Sequence, residues 1–375
     1  MSVTNDFDAT TQELWAPKVV DGIAMKTPLL AWLLDGGPEG LSDDERPRFA
    51  QEGSDRHSWT IRKAGLESVG QVFGTKSRVG MTDSPKDRLD KATFYMADVQ
   101  VPIRYDEDEK FGNRGKAAIV KVVPDVLEAG RRACRDILRA QFYRLPSTTV
   151  SADDEILLAD AKLYGLANAC SCDATTGRPT TGVAYGTITS TTTTNVWWNP
   201  ATLVSGWAGS GTAATASFAL LNQALDACMA FAEDAAPGNF MFLCSKAVKR
   251  AFEMEAESGA YVSLMRESMM QSFGFDAINY KGVEIVGDPY LDRNPLDAAT
   301  SPGAYDATRA ALAFLLYRPS WKFVYDPAQD FRLTPPVWQG SVSGGGNYWL
   351  QRVMLRTAGV ICNQPAANLC FTSIS

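Results

Sequence analysis

The chain reads as an α+β protein, on two observations. Apolar residues recur at helical spacing in some runs and at a strict period of two in others. The two kinds of run follow one another without the regular alternation that winds a parallel sheet. The 375 residues, 45% of them hydrophobic, suffice for two or three domains with cores of their own.

Residues 1–52 read as an arm. A short amphipathic piece, 13–34, is broken by Pro17 and Pro28, and the polar stretch 36–48 follows; this is too few periodic turns for a domain. An extended ribbon then occupies 53–115. In its clearest strand, 92–106, Tyr95, Ala97, Val99, Val101, Ile103 and Tyr105 fall on one side, and Met96, Asp98, Gln100, Arg104 and Asp106 on the other. At ~3.3 Å per residue such a strand runs about 50 Å. A second extended run, 58–73, precedes it across a polar turn region, 75–91. A two-stranded ribbon is marginal alone in water, and its apolar side needs a cover. The expected cover is another copy of the chain. The candidate subunit-interface residues are Tyr95, Val99, Val101, Ile103 and Tyr105, with Trp15 of the arm. The acidic run Asp106, Glu107, Asp108, Glu109 ends the ribbon as a solvated edge that discourages random pairing.

After a short strand at 116–123, Pro124 suits the first turn of a helix that Pro146 stops. Between them Leu127, Cys134, Leu138 and Phe142 share a stripe, with Arg131, Arg132, Arg135 and Arg139 on other faces. This helix is a spine on which strands can lie. A second helical run, 153–169, leads into a Gly, Ser and Thr region, 171–215, expected as loops and short strands. The next helix, 217–233, carries Phe218, Leu221, Leu225, Cys228 and Met229 on one stripe. A buried strand, 239–244, follows, and Ser245 is placed to cap a helix over 246–258. The last third is mostly strand: 283–286, 310–317, the alternating Trp321, Phe323 and Tyr325, and a long closing run, 348–361, after the turn Gly344, Gly345, Gly346.

The residues that could carry chemistry are few and scattered. His57 is the single histidine and sits at the start of the ribbon, where a packing role suits it better than catalysis. No G-x-S-x-G is present, and Ser341 and Ser343 merely flank the glycine turn. Gly209 and Gly211 lack the continuation of a phosphate loop. Asp153, Asp154 and Glu155 suit a helix start, and Trp197 with Trp198 read as a packed wedge. Seven cysteines are an odd number, spread along the chain, so reduced thiols are expected. Cys170 and Cys172 have no second pair at metal-finger spacing. No catalysis, metal or cofactor is therefore expected. A net charge of -7 argues against gripping nucleic acid by its phosphates. Neither a run of about 18 apolar residues nor a basic, apolar leader is present, so a soluble protein made in the cytoplasm, without a membrane partner, is expected.

In the order arm, ribbon, spine helix and mixed domain, the chain resembles the major capsid proteins of tailed bacteriophages, whose fold also builds the herpesvirus shell floor. The resemblance covers nearly the whole length and rests on a collinear set of pieces. These are Glu13-Leu14-Trp15-Ala16-Pro17 with Asp21-Gly22-Ile23, Thr193-Thr194-Asn195-Val196-Trp197-Trp198-Asn199, Gly238 through Ser245 before a helix, Tyr280 through Pro289, and Ile361-Cys362-Asn363-Gln364-Pro365 through Leu369.

The resemblance implies five parts: an amino-terminal arm (1–52), an extended β-hairpin loop lying on a neighbouring subunit (53–115), a peripheral domain with the spine helix (116–160), an axial domain (161–317), and a return to the peripheral domain with closing strands (318–375). It implies a structural subunit of an icosahedral double-stranded DNA capsid, built from hexamers and pentamers in the host cytoplasm. Its partners would be other copies of itself, a portal and decoration protein, and packaged DNA enclosed without specific binding. The stretch before the ribbon is too short for the fused scaffolding segment of some relatives, so a separate scaffolding protein is expected. Relatives that weld their subunits use a lysine, an asparagine on the last long strand and a glutamate. Here Tyr348 stands at the asparagine's place, Asn347 only near it, and no Asp or Glu follows Asp330, so no isopeptide cross-links are expected. An encapsulin-type nanocompartment subunit shares the fold and is the alternative. A sugar-binding or hydrolytic enzyme would rest on abundant carboxylates alone.

Overall fold

A computed structural model of the chain describes residues 28–34, 47–62, 89–106, 130, 132–134, 136–139, 141–143, 163–170, 184–189, 198, 216–258, 277–292, 313–335, 337–339 and 348–371. The expected strand at 116–123, most of the helical run 153–169, most of the Gly, Ser and Thr region and the glycine turn at 344–346 lie outside these residues.

Two mixed sheets organise the described chain. The first has six strands and is built on the long closing strand β14 (Tyr348–Cys362). On one side β14 pairs antiparallel with β4 (Ala97–Asp106) along that strand's whole length. On the other it meets in turn β13 (Val337–Gln339), β12 (Arg332–Leu333) and β11 (Trp321–Tyr325). Beyond β11, the short β1 (Arg48–Ala50) adds a parallel edge. Beyond its pairing with β4, residues 358–362 of β14 are buried without alternation, so both faces of the strand are covered there.

Close packing at this sheet demands glycine at one point and uses it at a second. Gly359 sits at φ +91°, where a Cβ would lie 2.3 Å from the Tyr164 carbonyl oxygen. That space is taken because Tyr164 N–H donates to Ala358 O and Val360 N–H to Tyr164 O, both at 2.9 Å. Gly130 opens the described part of the spine helix. A Cβ there would meet Ile103 Cδ1 at 2.8 Å, so its absence lets the spine lie on β4. The spine is helical at 130, 132–134, 136–139 and 141–143, and Cys134, Leu138 and Phe142 are buried on one stripe, as their spacing requires.

The second sheet has five strands in the order β15 (Leu369–Phe371), β10 (Ala313–Tyr317), β7 (Phe240–Cys244), β9 (Val283–Gly287) and β8 (Ala277–Tyr280). It is a shared wall between two cores. Phe240, Phe242, Ala313, Leu315, Val283 and Ile285 point to one side, under the helices Phe218–Met229 and Lys246–Ser258. Met241, Leu243, Phe314, Leu316 and Val286 point to the other, into the core of spine and six-stranded sheet. The period of two is intact, yet both faces are apolar, which is why these strands read as unbroken hydrophobic runs. Caps fix the covering helices. Ser217 Oγ accepts from Leu220 N–H at 3.2 Å, Ser245 Oγ from Val248 N–H at 3.3 Å, and Glu255 reaches across to accept from Phe218 N–H at 2.8 Å. The Phe218 helix ends at Met229, four residues before the expected end at 233.

One expectation changes. The segment 28–34, expected within an arm, is a short helix (Pro28–Leu34) whose residues 28–33 are all buried. PLLAWLL is apolar on every side, and such a helix is stable only when surrounded; it lies against β11 in the larger core. The strand expected at Trp321, Phe323 and Tyr325 is found as β11, and Val324 between them is buried too, so both of its faces are covered.

Candidate subunit interface

The ribbon is shorter than its sequence suggests, and the difference lies at Met96. β2 (Arg56–Arg62) pairs antiparallel with β3 (Leu89–Tyr95), placing His57 opposite Phe94. At Met96 the strand is interrupted, and its N–H donates back to Asp55 O at 3.0 Å. The interruption inverts the phase: β3 buries Ala92 and Phe94, whereas β4 buries Ala97, Val101 and Ile103. The single strand expected over 92–106 is therefore two, and only the first belongs to the ribbon.

The consequence for the candidate residues is specific. Val101 and Ile103, 6% and 4% exposed, are covered by their own chain, beneath the spine helix and beside β14. Val99 is half-buried against the same core. Over β4, the shelter expected from a sister molecule comes from the protomer itself. Tyr95 stands out at 47% exposed, on the outer face of the ribbon, with the Arg56 guanidinium 5.2 Å from its ring centroid. Tyr105 is in register opposite Trp349 of β14, and its side chain, like all of Trp15, lies outside what is described.

The ribbon's base is fastened at three points. The Arg356 guanidinium, on β14, pairs with Asp55 and approaches Asp98 at 3.9 Å. The hairpin of β5 (Ala184–Tyr185) and β6 (Ile188–Thr189) buttresses the inner face: Thr93 N–H donates to Gly186 O at 2.8 Å, and Phe94 packs edge-on against Tyr164 and Tyr185. Trp198 closes this cluster, donating from Nε1 to Tyr185 O at 3.0 Å, and is packed as expected of the Trp197–Trp198 pair, whose Trp197 lies outside the described residues. His57 is the third fastening. Its Nδ1 lies 2.9 Å from Gln51 Oε1, and its ring sits edge-on between Phe49 and Trp59, so burial lowers its pKa.

Sequence reasoning missed a second exposed apolar element. Val337 and Trp338 of β13 are 54% and 38% exposed. The only hint was their position just after Pro335 and Pro336, since a strand starting at prolines tends to lie at an edge. Cys170 is buried within the core, and Cys172 and the seryl candidates lie outside the described residues. Among the described residues no group of three potential metal ligands occurs, and no helix is long and apolar enough to cross a membrane.

No protein-family model and no curated protein matches the chain. Solved structures do. The capsid of cyanophage A-1(L) overlays with a TM-score of 0.57 at 13% identity, covering 93% of each chain. Lower scores accompany the capsid of a native GTA particle (TM-score 0.46, 11% identity, 88% of this chain and 94% of that one) and the SrpI encapsulin of Synechococcus elongatus PCC 7942 (0.43, 13%, 87% and 84%). The chain thus has the α+β fold of phage capsid subunits, and the resemblance to tailed-phage capsid proteins holds at the level of the whole fold.

Proposed function

We propose that the chain is the structural subunit of an icosahedral shell that encloses double-stranded DNA, self-assembling as hexamers and pentamers and performing no catalysis. The observation that carries this reading is the overlay on the cyanophage capsid across 93% of both chains, because a fold shared end to end includes the elements through which copies meet. Assembly draws on the outer face of the β2–β3 ribbon at Tyr95, on β13 at Val337 and Trp338, and on Trp15 and Tyr105. Val101 and Ile103 act indirectly, by holding β4 in the body. A net charge of -7 suits a wall to which packaged DNA does not adhere. A separate scaffolding protein, a portal and a decoration protein complete the particle, and its subunits are not welded by isopeptide bonds.

Electron microscopy of the chain co-expressed with its neighbouring genes tests this. Closed shells containing nuclease-protected DNA are expected, and denaturing electrophoresis should resolve them into single chains without covalent ladders. Shells filled with protein reassign the chain to a nanocompartment. A lasting monomer under co-expression overturns the shell reading altogether.

A further inference from the structure

The one histidine of the chain stands where the ribbon joins the body. Gln51, its hydrogen-bond partner, is itself tied to the six-stranded sheet, since Gln51 N–H donates to Tyr325 O at 2.8 Å and so continues the β1–β11 pairing. Phe49, on the other side of the ring, belongs to β1. His57 is on β2 and faces Phe94 across the ribbon. Its imidazole is thus a bolt between two elements, with an amide at one nitrogen and aromatic rings around the remainder. We propose that His57 is a proton-sensitive latch: neutral, it fastens the β2–β3 ribbon to the six-stranded sheet, and protonated, it releases the ribbon's base.

Among the described residues no carboxylate forms an ion pair with the ring, and Glu52, next to Gln51, is exposed. On its own strand Arg56 is turned to the outer face over Tyr95, and the preceding Asp55 is engaged by Arg356. On β3, Phe94 and Ala92 share its face, and Asp90 comes in only opposite Ile61, four residues along from His57. On β1, Arg48 is paired with Asp330 and stacked 4.1 Å above the Tyr325 ring. The acceptor that His57 meets is a neutral amide, so a second proton must enter an apolar cleft unpaired. Burial lowers the His57 pKa from 6.5. The released ribbon binds a proton that the docked one resists. Docking is therefore at full strength above about pH 6.5 and weakens as pH falls from there toward the lowered value, by at most about tenfold per pH unit. The latch belongs to the single chain and stands apart from the shell reading.

Backbone hydrogen exchange of the full-length chain, followed by mass spectrometry from about pH 7.5 down to about pH 5 and corrected for intrinsic rates, reads the latch directly. Protection across 51–61 should fall below pH 6.5 while that of β10 holds, and His57→Gln should make ribbon protection independent of pH. An equal fall in the variant, or none in the wild type, overturns the proposal. Should the variant not fold, deuterium exchange at the imidazole C2 of the wild type gives the titration of this single ring. A midpoint below 6.5 is expected, and one at or above it sinks the latch.

Discussion

The Tyr143 hydroxyl donates a 2.7 Å hydrogen bond to Asp288 Oδ2, joining the spine helix to the end of β9 across 145 residues of sequence. Asp288 is fully buried, its N–H donates to Cys244 O at 2.8 Å, and Arg139, one turn before Tyr143, lies 3.9 Å from its other oxygen. A carboxylate and a guanidinium are thus brought together between the two cores, where burial strengthens the attraction between them.

Removing one donor should be felt and removing the charge should be felt more. Tyr143→Phe is expected to lower the unfolding free energy by about 1–3 kcal/mol, because it takes one hydrogen bond from a buried carboxylate. Asp288→Ala removes the acceptor of Tyr143 and the carboxylate beside Arg139 together and should cost more, about 3–5 kcal/mol. Urea titrations of both variants check this, and an Asp288→Ala midpoint no lower than that of Tyr143→Phe would contradict the charge argument.

Gly359 and Gly53 both hold positive φ, +91° and +62°, but only the first is enclosed. At Gly53 an added Cβ meets nothing within 4 Å, so Gly53→Ala should cost only the backbone strain, about 1 kcal/mol. Gly359→Ala must also push Tyr164 off β14 and break both hydrogen bonds to it, for a total of at least ~3 kcal/mol. Thermal denaturation of the pair separates strain from crowding, since equal losses would mean that Tyr164 moves freely.

The elements legible in the sequence were those whose signal is local. Phe240–Cys244 and Lys246–Ser258 were readable because a continuous apolar run and a serine cap are contiguous. The closing strand was legible from its length. What was illegible is partner choice. Nothing near Ala97 says that β4 pairs with a strand some 250 residues later, so its apolar side looked unsheltered. The break at Met96 hid inside an alternation, because Tyr95 and Ala97 keep the same parity while the chain between them changes face. The even-numbered Ala92 and Phe94 were the available sign of that change. The ribbon's fastenings, Asp55 to Arg356 and His57 to Gln51, depend on those tertiary choices and left no motif.

Thiol reactivity gives a check on both cores at once. Cys134, Cys170, Cys228, Cys244, Cys362 and Cys370 are all buried as free thiols. Burial pushes Cys134 and Cys362 up to about 12 and raises Cys228 further. At pH 8 almost none of these three is thiolate, the reactive form, and burial keeps the reagent from Cys170, Cys244 and Cys370. A chromogenic disulfide reagent should therefore titrate no more than one of the seven cysteines in the native chain, Cys172, and all of them in guanidinium. Fast reaction of two or more native thiols would show that one of the cores is open.

Asn368 allows a prediction whose pH dependence has a distinctive sign. Its Oδ1 accepts from Tyr317 N–H at 2.7 Å and from Trp321 Nε1–H at 2.8 Å, while its Nδ2 donates to Gln364 O at 2.8 Å and Ser320 Oγ at 3.1 Å. One buried amide thereby ties the end of β10 to the start of β11 and to the loop after β14. Asn368→Asp keeps the shape and the acceptor but sets a second oxygen against the Gln364 carbonyl. With the carboxylate ionised, a loss of about 3–5 kcal/mol is expected at pH 7. The protonated acid can donate where Nδ2 did, so folding raises the variant's carboxyl pKa above its unfolded value of about 3.9. The folded variant then holds more protons than the unfolded chain, and its deficit relative to wild type shrinks as pH falls through that raised pKa. Denaturation midpoints of variant and wild type measured in parallel should converge toward acid pH; a gap that stays constant or widens would mean that the Nδ2 contacts contribute little.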